Sequence, residues 1–415
     1  MSVDFHSKRV MFSEKIAYII SRFPALTETF ILREVEELKR KGVKVEIFSL
    51  HNVRQNQTEQ CSSHGLASST WYLPFFLSLR VWKSFFFFLA TQPICTFEIL
   101  IKIIKSHLAN PGLLLRSLAV FPKALMIAKI LKDMKISKVH AHWATVPATV
   151  AWIIAELNRC NFTFTAHAWD IFKVHTMLED KIHAASKIIT CTNFNKKYLL
   201  EKFPKINSDK ITVIYHGLDF SRFSPSMKEQ RSIFNILSIG RLTEKKGFHY
   251  LLKACHILRE SGIPFLCRVI YVSGNFQKEI FGLYHNLGLE NCVQFIPEMP
   301  QEELAEYYKD ADCFVLPCII AEDGDMDGIP NVIIEALAME LPVVTTSVSG
   351  IPEVVKDKQT GLLVQSGNVQ QIALAVERLY QDNELRDLLG RAGRELVQQQ
   401  FNISTNVDRL LMNIL

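Results

Sequence analysis

The chain has 415 residues, a formal net charge of +5 and an apolar content of 48%. This length predicts two or three domains, and the apolar content excludes an intrinsically disordered chain. The nine cysteines are scattered without a C-x-x-C pair, which argues against a disulfide framework or a zinc knuckle and favours a reducing cytoplasm. The apolar run at 16–20 is too short for the core of a signal peptide, so we expect a first strand and no export.

The first half of the chain alternates between predicted strands and helices. The strand at 16–20 is followed by an amphipathic helix at 30–41 and by an alternating strand at 43–48. Together they predict a βαβ unit. Further strands are predicted at 139–142, 162–165, 188–190 and 211–214.

The stretch from about 71 to 138 is an insert that is both apolar and basic. Between Arg80 and Lys138, ten Lys and Arg residues stand against two acids, so this segment carries +8 and the rest of the chain −3. Aromatic, apolar and basic side chains together suit the surface of an anionic membrane, whereas Arg80, Lys83 and Pro93 interrupt the runs that a crossing helix would need. The alternative is that these helices only cover a sheet and pack against one another.

A stretch without periodicity at 215–225 predicts a linker, and a second β/α series follows it. Its strands are predicted at 235–239, 268–272, 293–296, 313–316, 343–346 and 362–364, with helices at 251–258, 304–308 and 332–339. Short apolar strands that alternate with helices predict an α/β protein with two doubly wound parallel sheets. Such sheets bind ligands at the carboxyl ends of their strands, so two facing edges would form a cleft. We divide the chain into a domain at 1–218, a domain at 219–399, and a helix at 400–415 that crosses back to the first domain.

Two cations lie in the loop that follows the first strand of the second half. Arg241 and Lys246 are placed where a helix is about to begin, and a guanidinium fork with an ammonium point charge favours a diphosphate. Lys245 is interpreted as a surface residue. The alternative for the whole loop is a solvated turn.

A Gly-Ile-Pro-Asn turn, flanked by two acids, opens the helix predicted at 332–339. Pro330 fits the first helical turn, and the amides from Asn331 onward point outward with the positive end of the helix dipole. Glu335 lies one turn further, where its carboxylate could reach a vicinal diol such as a ribose. The alternative is that Glu335 is only a solvated helical acid.

The acidic run before this helix begins like a calcium-binding EF-hand loop. Counted from Asp323, however, the twelfth position is Ile334, and Glu335 comes one residue late. Because that position must supply a bidentate Glu, the register excludes a calcium site.

Four motifs, in order along nearly the whole chain, resemble those of the retaining GT-B glycosyltransferases of glycosyltransferase family 4. The branch that they resemble builds exopolysaccharides such as colanic acid. The motifs are the opening at 21–31, the loop Thr165–Asp170, Gly240-Arg241 with Lys246-Gly247, and Asp327–Asn331. The resemblance implies the GT-B architecture, with two Rossmann-like domains that face a central cleft. The first domain would bind the acceptor and the second the nucleotide sugar.

The resemblance also implies roles for individual residues. Arg241 and Lys246 would bind the donor diphosphate, His167 would lie near the transferred sugar, and these three are the expected catalytic residues. Glu335 would bind the ribose, and Asp327, where the family has the longer Glu, would contact the transferred sugar. The remaining donor-binding residues would hold sugar hydroxyls through the backbone: Gly328, Ile329, Pro330 and Asn331. Three residues are expected on the acceptor side: His140, His142 and Thr27.

The implied reaction moves a hexose from a UDP- or GDP-sugar to a saccharide acceptor, which we expect to be lipid-linked, with retention of configuration. No metal or other cofactor is expected, and no nucleic acid partner. The expected location is the cytoplasm, with peripheral binding to the inner face of the plasma membrane.

Two other classes of protein remain open. A GT-B-like epimerase or glycan phosphorylase would use related β/α halves, although no lysine motif for pyridoxal phosphate is apparent. The second class is a scaffold that binds a sugar nucleotide without activity. Its only indication is Asp327, which stands where the family has Glu.

Overall fold

The computed structural model describes residues 15–25, 28–52, 69–74, 78–108, 110–173, 177–225 and 233–415. Two parallel sheets, one in each half of the chain, are interleaved with helices. This arrangement confirms the predicted α/β class with two doubly wound domains. Thr27, expected on the acceptor side, lies outside the described residues.

The first sheet has seven strands in the order β3-β2-β1-β4-β5-β6-β7. They are β1 (Lys15–Arg22), β2 (Lys44–His51), β3 (Thr70–Tyr72), β4 (Lys138–His142), β5 (Asn161–Ala166), β6 (Lys187–Thr190) and β7 (Ile211–Val213). Residues 16–20 of β1 are all buried, because helices cover both faces of the sheet. The edge strand β3 was not expected: Trp71 belongs to the apolar run at the start of the insert, and it pairs with Phe48 of β2.

Eight helices of the first domain are described. They are α1 (Thr29–Arg40), α2 (Leu79–Thr91), α3 (Pro93–His107), α4 (Pro111–Asp133), α5 (Val146–Asn158), α6 (Ala168–Phe172), α7 (Leu178–Ala184) and α8 (Asn193–Lys202). In α1 the buried face includes Ile31, Val35 and Leu38, as the helical spacing predicted. The helix is therefore fixed on the sheet by the stripe that its sequence shows.

The insert forms α2, α3 and α4. Helix α4 packs against α5, and α2 and α3 pack on its outer side. Within the described residues no single helix is both long and apolar enough to cross a bilayer. Among the described helices, one consecutive pair, α2 and α3, is long and apolar enough when the two are taken together, but they are bent by 112° relative to each other.

The second sheet has six strands in the order β10-β9-β8-β11-β12-β13. They are β8 (Phe234–Arg241), β9 (Phe265–Val272), β10 (Val293–Pro297), β11 (Cys313–Leu316), β12 (Val343–Thr346) and β13 (Leu362–Val364). The helices are α9 (Phe248–Glu260), α10 (Gln277–Asn286), α11 (Gln301–Asp310), α12 (Asn331–Ala338), α13 (Val369–Gln381), α14 (Asn383–Gln400) and α15 (Ile403–Ile414). Helix α15 packs against α1 of the first domain, and Lys41 Nζ lies 2.7 Å from Asp408 Oδ1.

Both sheets have a switch point, where the strand order reverses beside the first strand. In the first sheet it lies between β1 and β4, and in the second between β8 and β11. Ligands of doubly wound sheets bind in the crevice outside the carboxyl ends of strands at such points. The loops that follow these strands carry most of the site residues expected from the sequence. Contacts between the two domains, such as that of Arg33 with Glu335, connect the loops of one domain to the other.

Candidate functional site

The loop after β8 begins with a free cation. Arg241 is the last residue of β8, its side chain is exposed, and it forms no ion pair within the described residues. Gly247 closes the turn with a φ of +68°, and a Cβ at this position would lie 1.9 Å from the carbonyl oxygen of Pro317. Only glycine permits this approach, so the loop is held against the end of β11.

Lys246 is already part of an ion pair in the structure. Its Nζ lies 2.7 Å from Asp327 Oδ2, so the residue expected on the diphosphate is paired with the acid expected on the sugar. Lys245, interpreted from the sequence as a surface residue, is largely buried and lies 3.0 Å from Asp325 Oδ2 and 3.2 Å from Asp327 Oδ1. That interpretation was wrong, because the two acids after β11 draw Lys245 inward.

The pairing fixes the charges of this network. Burial opposes the charge of Asp327, but the adjacent Lys246 and Lys245 hold the pKa of its carboxyl below its ordinary value. Burial likewise opposes the charge of Lys245, yet Asp327 and Asp325 raise its pKa. The carboxyl of Asp327 and the ammonium of Lys245 therefore remain ionised at neutral pH.

Helix α12 begins one residue before the predicted start at 332, and Pro330, expected in the first helical turn, lies just outside the helix. Pro330 is the N-cap, with φ −60° and ψ 128°, and Asn331 is the first helical residue. No side chain caps this end, so its first amides are available to an anion or a hydroxyl. Gly328 lies just before this end, and a Cβ there would lie 3.4 Å from Thr192 Cγ2 of the first domain. The turn therefore lies at the surface where the two domains meet.

Glu335 is neither solvated nor free. Its Oε1 accepts a hydrogen bond from Arg33 Nη2 at 2.8 Å, and its Oε2 accepts one from the Tyr308 hydroxyl at 3.1 Å. Arg33 lies on α1 of the first domain, so this ion pair crosses the cleft. The expected ribose contact is thus already occupied on both oxygens.

His167 lies at the carboxyl end of β5, as its sequence position predicted, and is the N-cap of α6. Its backbone N–H donates to Asp170 Oδ1 at 2.6 Å, and the other oxygen of Asp170 accepts from the amide of Ala144. Lys181 is fully buried and donates to the carbonyl of Ala144. This network joins the loops after β4 and β5 and fixes the position of the imidazole.

The imidazole of His167 lies in an aromatic cluster with a stacked histidine on either side. His142 and His216 stack on it at centroid distances of 5.8 and 5.2 Å, and Trp143 lies at 4.3 Å. Burial, with the neighbouring histidines, lowers the pKa of His167 well below its ordinary value. Its Nε2 is buried without a partner in the described parts of the chain. His167 is therefore a neutral group whose Nε2 is unpaired within the described residues but enclosed by its neighbours.

His140 and His142, both on β4, are buried instead of exposed on the cleft wall. Both ring nitrogens of His140 contact threonine hydroxyls, Thr163 Oγ1 at 2.8 Å and Thr165 Oγ1 at 3.0 Å. His142 Nε2 lies 2.9 Å from Glu34 Oε1, and both histidines are completely buried. The expectation that they line the acceptor side is corrected for His140, whose side chain is fully engaged in the core.

Two groups in the described part of the chain place three metal-ligand atoms within 4.8 Å of one another: His167, Cys191 and His216, and Glu34, His140 and His142. In the second group the threonines already occupy both nitrogens of His140. In the first, Cys191 Sγ lies 4.0 Å from His167 Nδ1, and burial raises the pKa of this thiol to about 12. A neutral thiol is a poor metal ligand.

Several of the pairings between site residues had no signal in the sequence. Arg33 and Glu335 are 302 positions apart. Glu353 accepts hydrogen bonds from the amides of Asn193 and Phe194, 160 and 159 positions away. Because these partners belong to different domains, no local pattern relates them.

Two family models match the chain. One, described as Glycosyltransferase Family 4, matches residues 27–222, and the other, described as Glycosyl transferases group 1, matches residues 221–396. The putative colanic acid biosynthesis glycosyltransferase WcaL of Escherichia coli is 38% identical over 47% of this chain and 48% of its own length. The amylovoran biosynthesis glycosyltransferase AmsK of Erwinia amylovora is 29% identical over 94% of this chain and 96% of its own length. The chain thus spans about half of the first relative and nearly all of the second.

Solved structures share the fold across both domains. A glycosyltransferase of Rickettsia africae has a TM-score of 0.73 at 19% identity, covering 96% of this chain and 97% of its own. HepE of Anabaena, solved with UDP and glucose, has a TM-score of 0.69 at 15% identity, covering 96% of this chain and 98% of its own. At these identities the likeness concerns the fold alone.

Proposed function

Since the chain belongs to glycosyltransferase family 4 and has the GT-B fold, we propose that it transfers a hexose, with retention of configuration, from a nucleoside-diphosphate sugar to a saccharide acceptor. The names of its relatives support a place in exopolysaccharide synthesis, because one is assigned to colanic acid and another to amylovoran. Both are polymers assembled by successive sugar transfers, so this chain would add one residue of such a polymer.

One observation carries the donor site: three cations and a free helix start converge at the switch point of the second domain, although Lys245 and Lys246 are paired there with acids. The exposed Arg241, the cations Lys245 and Lys246, and the uncapped start of α12 meet there. Arg and helix amides both bind phosphate oxygens, and the helix dipole favours negative charge. The site therefore suits a diphosphate, with Glu335 one turn further along α12 for the ribose.

The residues present suit a transfer in which the leaving group is stabilised by fixed charge. The bond between the sugar C1 and the diphosphate oxygen breaks, the acceptor oxygen bonds to C1 on the same face, and its proton passes to the departing diphosphate. Arg241 and Lys246 would stabilise the charge that develops on the diphosphate. His167, held neutral by burial, would hydrogen-bond the sugar through its free Nε2 without adding a cation. Closure of the two domains would exclude water.

No metal is required in this scheme, because protein cations and helix amides face the diphosphate. We expect transfer to proceed at the same rate in excess EDTA as without it. A loss of activity that Mg²⁺ or Mn²⁺ restores would contradict this part of the proposal.

Calorimetric titration with UDP and GDP tests the donor site. We expect one of the two to bind, and Arg241→Ala and Glu335→Ala each to weaken its binding about tenfold or more, since each removes a charged hydrogen bond. Arg391→Ala is the matched control, because Arg391 is an exposed cation on α14 whose side chain contacts only a backbone carbonyl of its own helix in the described structure. If neither nucleotide binds the wild type, the proposal fails and the scaffold alternative fails with it.

The acceptor is proposed to be lipid-linked and to be reached at an anionic membrane surface. In α3, Ile94, Phe97, Ile101 and Ile104 follow one another at helical spacing, and all four are exposed. In α2, the exposed Leu79, Trp82 and Phe86 repeat the pattern. Two exposed apolar stripes on consecutive helices are unusual for a surface facing water.

Cations accompany these stripes and favour lipid as the partner. Arg80, Lys83, Lys105 and Arg116 are exposed on the same three-helix insert. Apolar side chains that enter the headgroup region, next to Lys and Arg, are typical of interfacial helices. Each such cation adds about 1 kcal/mol of attraction to an anionic leaflet.

Flotation with phosphatidylcholine vesicles that contain phosphatidylglycerol tests the membrane proposal. We expect the protein to float at low salt and less as salt rises, because salt screens the attraction. Replacing Ile94 and Phe97, which are 75% and 54% exposed, by Ser should reduce flotation, whereas the same change at Leu374 and Leu388 of the second domain, 60% and 59% exposed, should not. Failure to float at low salt would remove the proposal.

A further inference from the structure

The carboxylate expected to bind the donor ribose is paired with an arginine from the opposite domain. Arg33 is 7% exposed and Glu335 5% exposed, and Arg33 Nη2 lies 2.8 Å from Glu335 Oε1. The second oxygen accepts from the hydroxyl of Tyr308 at 3.1 Å. Both oxygens are therefore occupied, and almost no surface of the carboxylate remains open.

The position of Arg33 is set by its helix and by a ring of the second domain. Its side chain leaves α1 toward the cleft, and its guanidinium carbon lies 6.0 Å from the centre of the Phe223 ring. Burial raises the pKa of Tyr308 well above its ordinary value, so its hydroxyl stays a donor. A buried guanidinium needs a partner, and within the described residues Glu335 is the carboxylate that it meets.

A ribose diol cannot share this carboxylate as it stands. Each oxygen keeps a second acceptor site, but Glu335 is only 5% exposed, so two ribose hydroxyls cannot reach its oxygens while Arg33 and Tyr308 stay in place. A ligand that binds only after such a contact breaks has its affinity reduced by the cost of breaking it. The free energy needed to break the contact between Arg33 and Glu335 therefore reduces the affinity for the donor.

We propose that Arg33 is a positioning residue that holds Glu335 through the ion pair across the cleft and is displaced by the ribose diol, so that it lowers and thereby sets the affinity for the donor nucleotide. The inference rests on the proposed nucleotide-sugar site and adds to it a residue of the acceptor domain. Under this proposal, the ribose can bind Glu335 only when the contact between the two domains at Arg33 and Glu335 is broken. Nucleotides without the diol do not compete with Arg33.

Titration of Arg33→Met with a nucleoside diphosphate and with its 2′,3′-dideoxy form tests the proposal, because methionine keeps the apolar stem and removes the charge. We expect the variant to bind the ribonucleotide at least about fivefold more tightly than the wild type does, and the dideoxy form unchanged. Arg40→Met is the matched control, since Arg40 lies on the same helix, is exposed, and pairs within that helix with Glu37. It should bind both nucleotides as the wild type does.

The outcomes separate this inference from the proposed function. Unchanged binding of the ribonucleotide by Arg33→Met overturns the inference. Weaker binding of both nucleotides also overturns it and makes Arg33 a direct donor contact instead. Wild-type protein that binds neither nucleotide overturns the proposed function, and the inference with it. If the melting transition shows that Arg33→Met does not fold, Arg33→Lys, which loses the planar fork, takes its place with the same expected direction and the same overturning results.

Discussion

Position 247 requires a residue without a side chain for two separable reasons. Its φ of +68° disfavours any L side chain, and a Cβ there would lie 1.9 Å from the Pro317 carbonyl oxygen. Gly262 has nearly the same backbone, with φ +73°, but a Cβ there would meet nothing within 4 Å. The pair therefore separates backbone strain from the close approach that holds the loop after β8 against Pro317.

We expect Gly247→Ala to lower the free energy of unfolding by about 2 kcal/mol or more, and Gly262→Ala by about 1 kcal/mol. Urea denaturation measures both values. Equal losses in the two variants would show that the loop moves away from Pro317 at little cost. In that case the cations of the loop would not be rigidly placed.

The buried histidines predict how stability depends on pH. Burial is the main cause that lowers the pKa of His216 from its ordinary value of 6.5 to about 4, and it lowers the pKa of His167 and His140 in the same direction. Between pH 6.5 and 4 the unfolded chain therefore binds protons at these positions that the folded chain does not. The free energy of unfolding must fall as the pH falls through this window.

We expect the loss of stability between pH 7 and pH 5 to be smaller in His216→Gln than in the wild type, because one of these sites is removed. His183→Gln is the control, since His183 is an exposed residue of α7. Melting temperatures across this pH range give the comparison. The same slope in both variants would contradict the assignment of His216.

At the scale of elements, the carboxylate of Glu353 in the second domain binds the N-terminal end of helix α8 in the first domain. Glu353 accepts hydrogen bonds from the amides of Asn193 and Phe194, both at 2.9 Å, and from the hydroxyl of Tyr215 at 2.7 Å. These amides open α8, whose dipole favours an anion there. Glu353 thus joins the second domain to the first at the edge of the cleft.

We expect Glu353→Ala to cost about 1–2 kcal/mol of unfolding free energy, and Glu353→Gln about half of that, because glutamine keeps an acceptor and loses the charge. Glu384 is also an acid in the first turn of a helix, α14, but it faces no other domain within the described structure. Glu384→Gln should change stability by less than about 0.5 kcal/mol. A similar cost at both positions would show that the contact between domains adds nothing.

The elements were predictable from the sequence where short-range patterns decide them. All the predicted strands are present, because runs such as 313–316 are apolar on both faces and are bounded by turns. The short strand β3 was missed, since Trp71 and Tyr72 remain partly exposed at a sheet edge and read as part of the insert. Local reasoning also placed His167 and Arg241 at strand ends.

The partners of the site residues were not predictable in the same way. That Lys245 turns inward depends on two acids 80 and 82 positions later, and the pairing of Glu335 with Arg33 depends on how two domains meet. Such contacts follow from tertiary packing, which a single sequence does not encode at any fixed spacing. The sequence therefore identified four charged residues of the candidate site, Arg241, Lys246, Asp327 and Glu335, and the structure shows which residues pair with them.

At the scale of the whole molecule, the two domains share their last element. Helix α15 follows the second domain in the chain, yet its residues Val407, Leu410, Leu411 and Ile414 are buried in the core of the first domain with Ile16 and Val35. The crossing is close, since a Cβ on Gly217 would lie 2.5 Å from the Cα of Ile403. The core of the first domain is therefore completed by residues that come after the entire second domain.

This arrangement predicts which part of the molecule is weakened when α15 is weakened. Leu411→Ala should lower the free energy of unfolding by about 2–5 kcal/mol, because it removes a buried leucine and leaves a cavity. Met412→Ala is the matched control, since the next residue on the same helix is 80% exposed. It should cost less than about 0.5 kcal/mol.

Native-state hydrogen exchange would then locate the effect. Amides of β1 and β2 should exchange faster in Leu411→Ala, because side chains of these strands belong to the same buried cluster as Leu411, while amides of β9 and β12 should keep their protection. Faster exchange in both sheets would mean that the domains unfold as one unit and that α15 couples them. Faster exchange confined to the second sheet would contradict the assignment of α15 to the first domain's core.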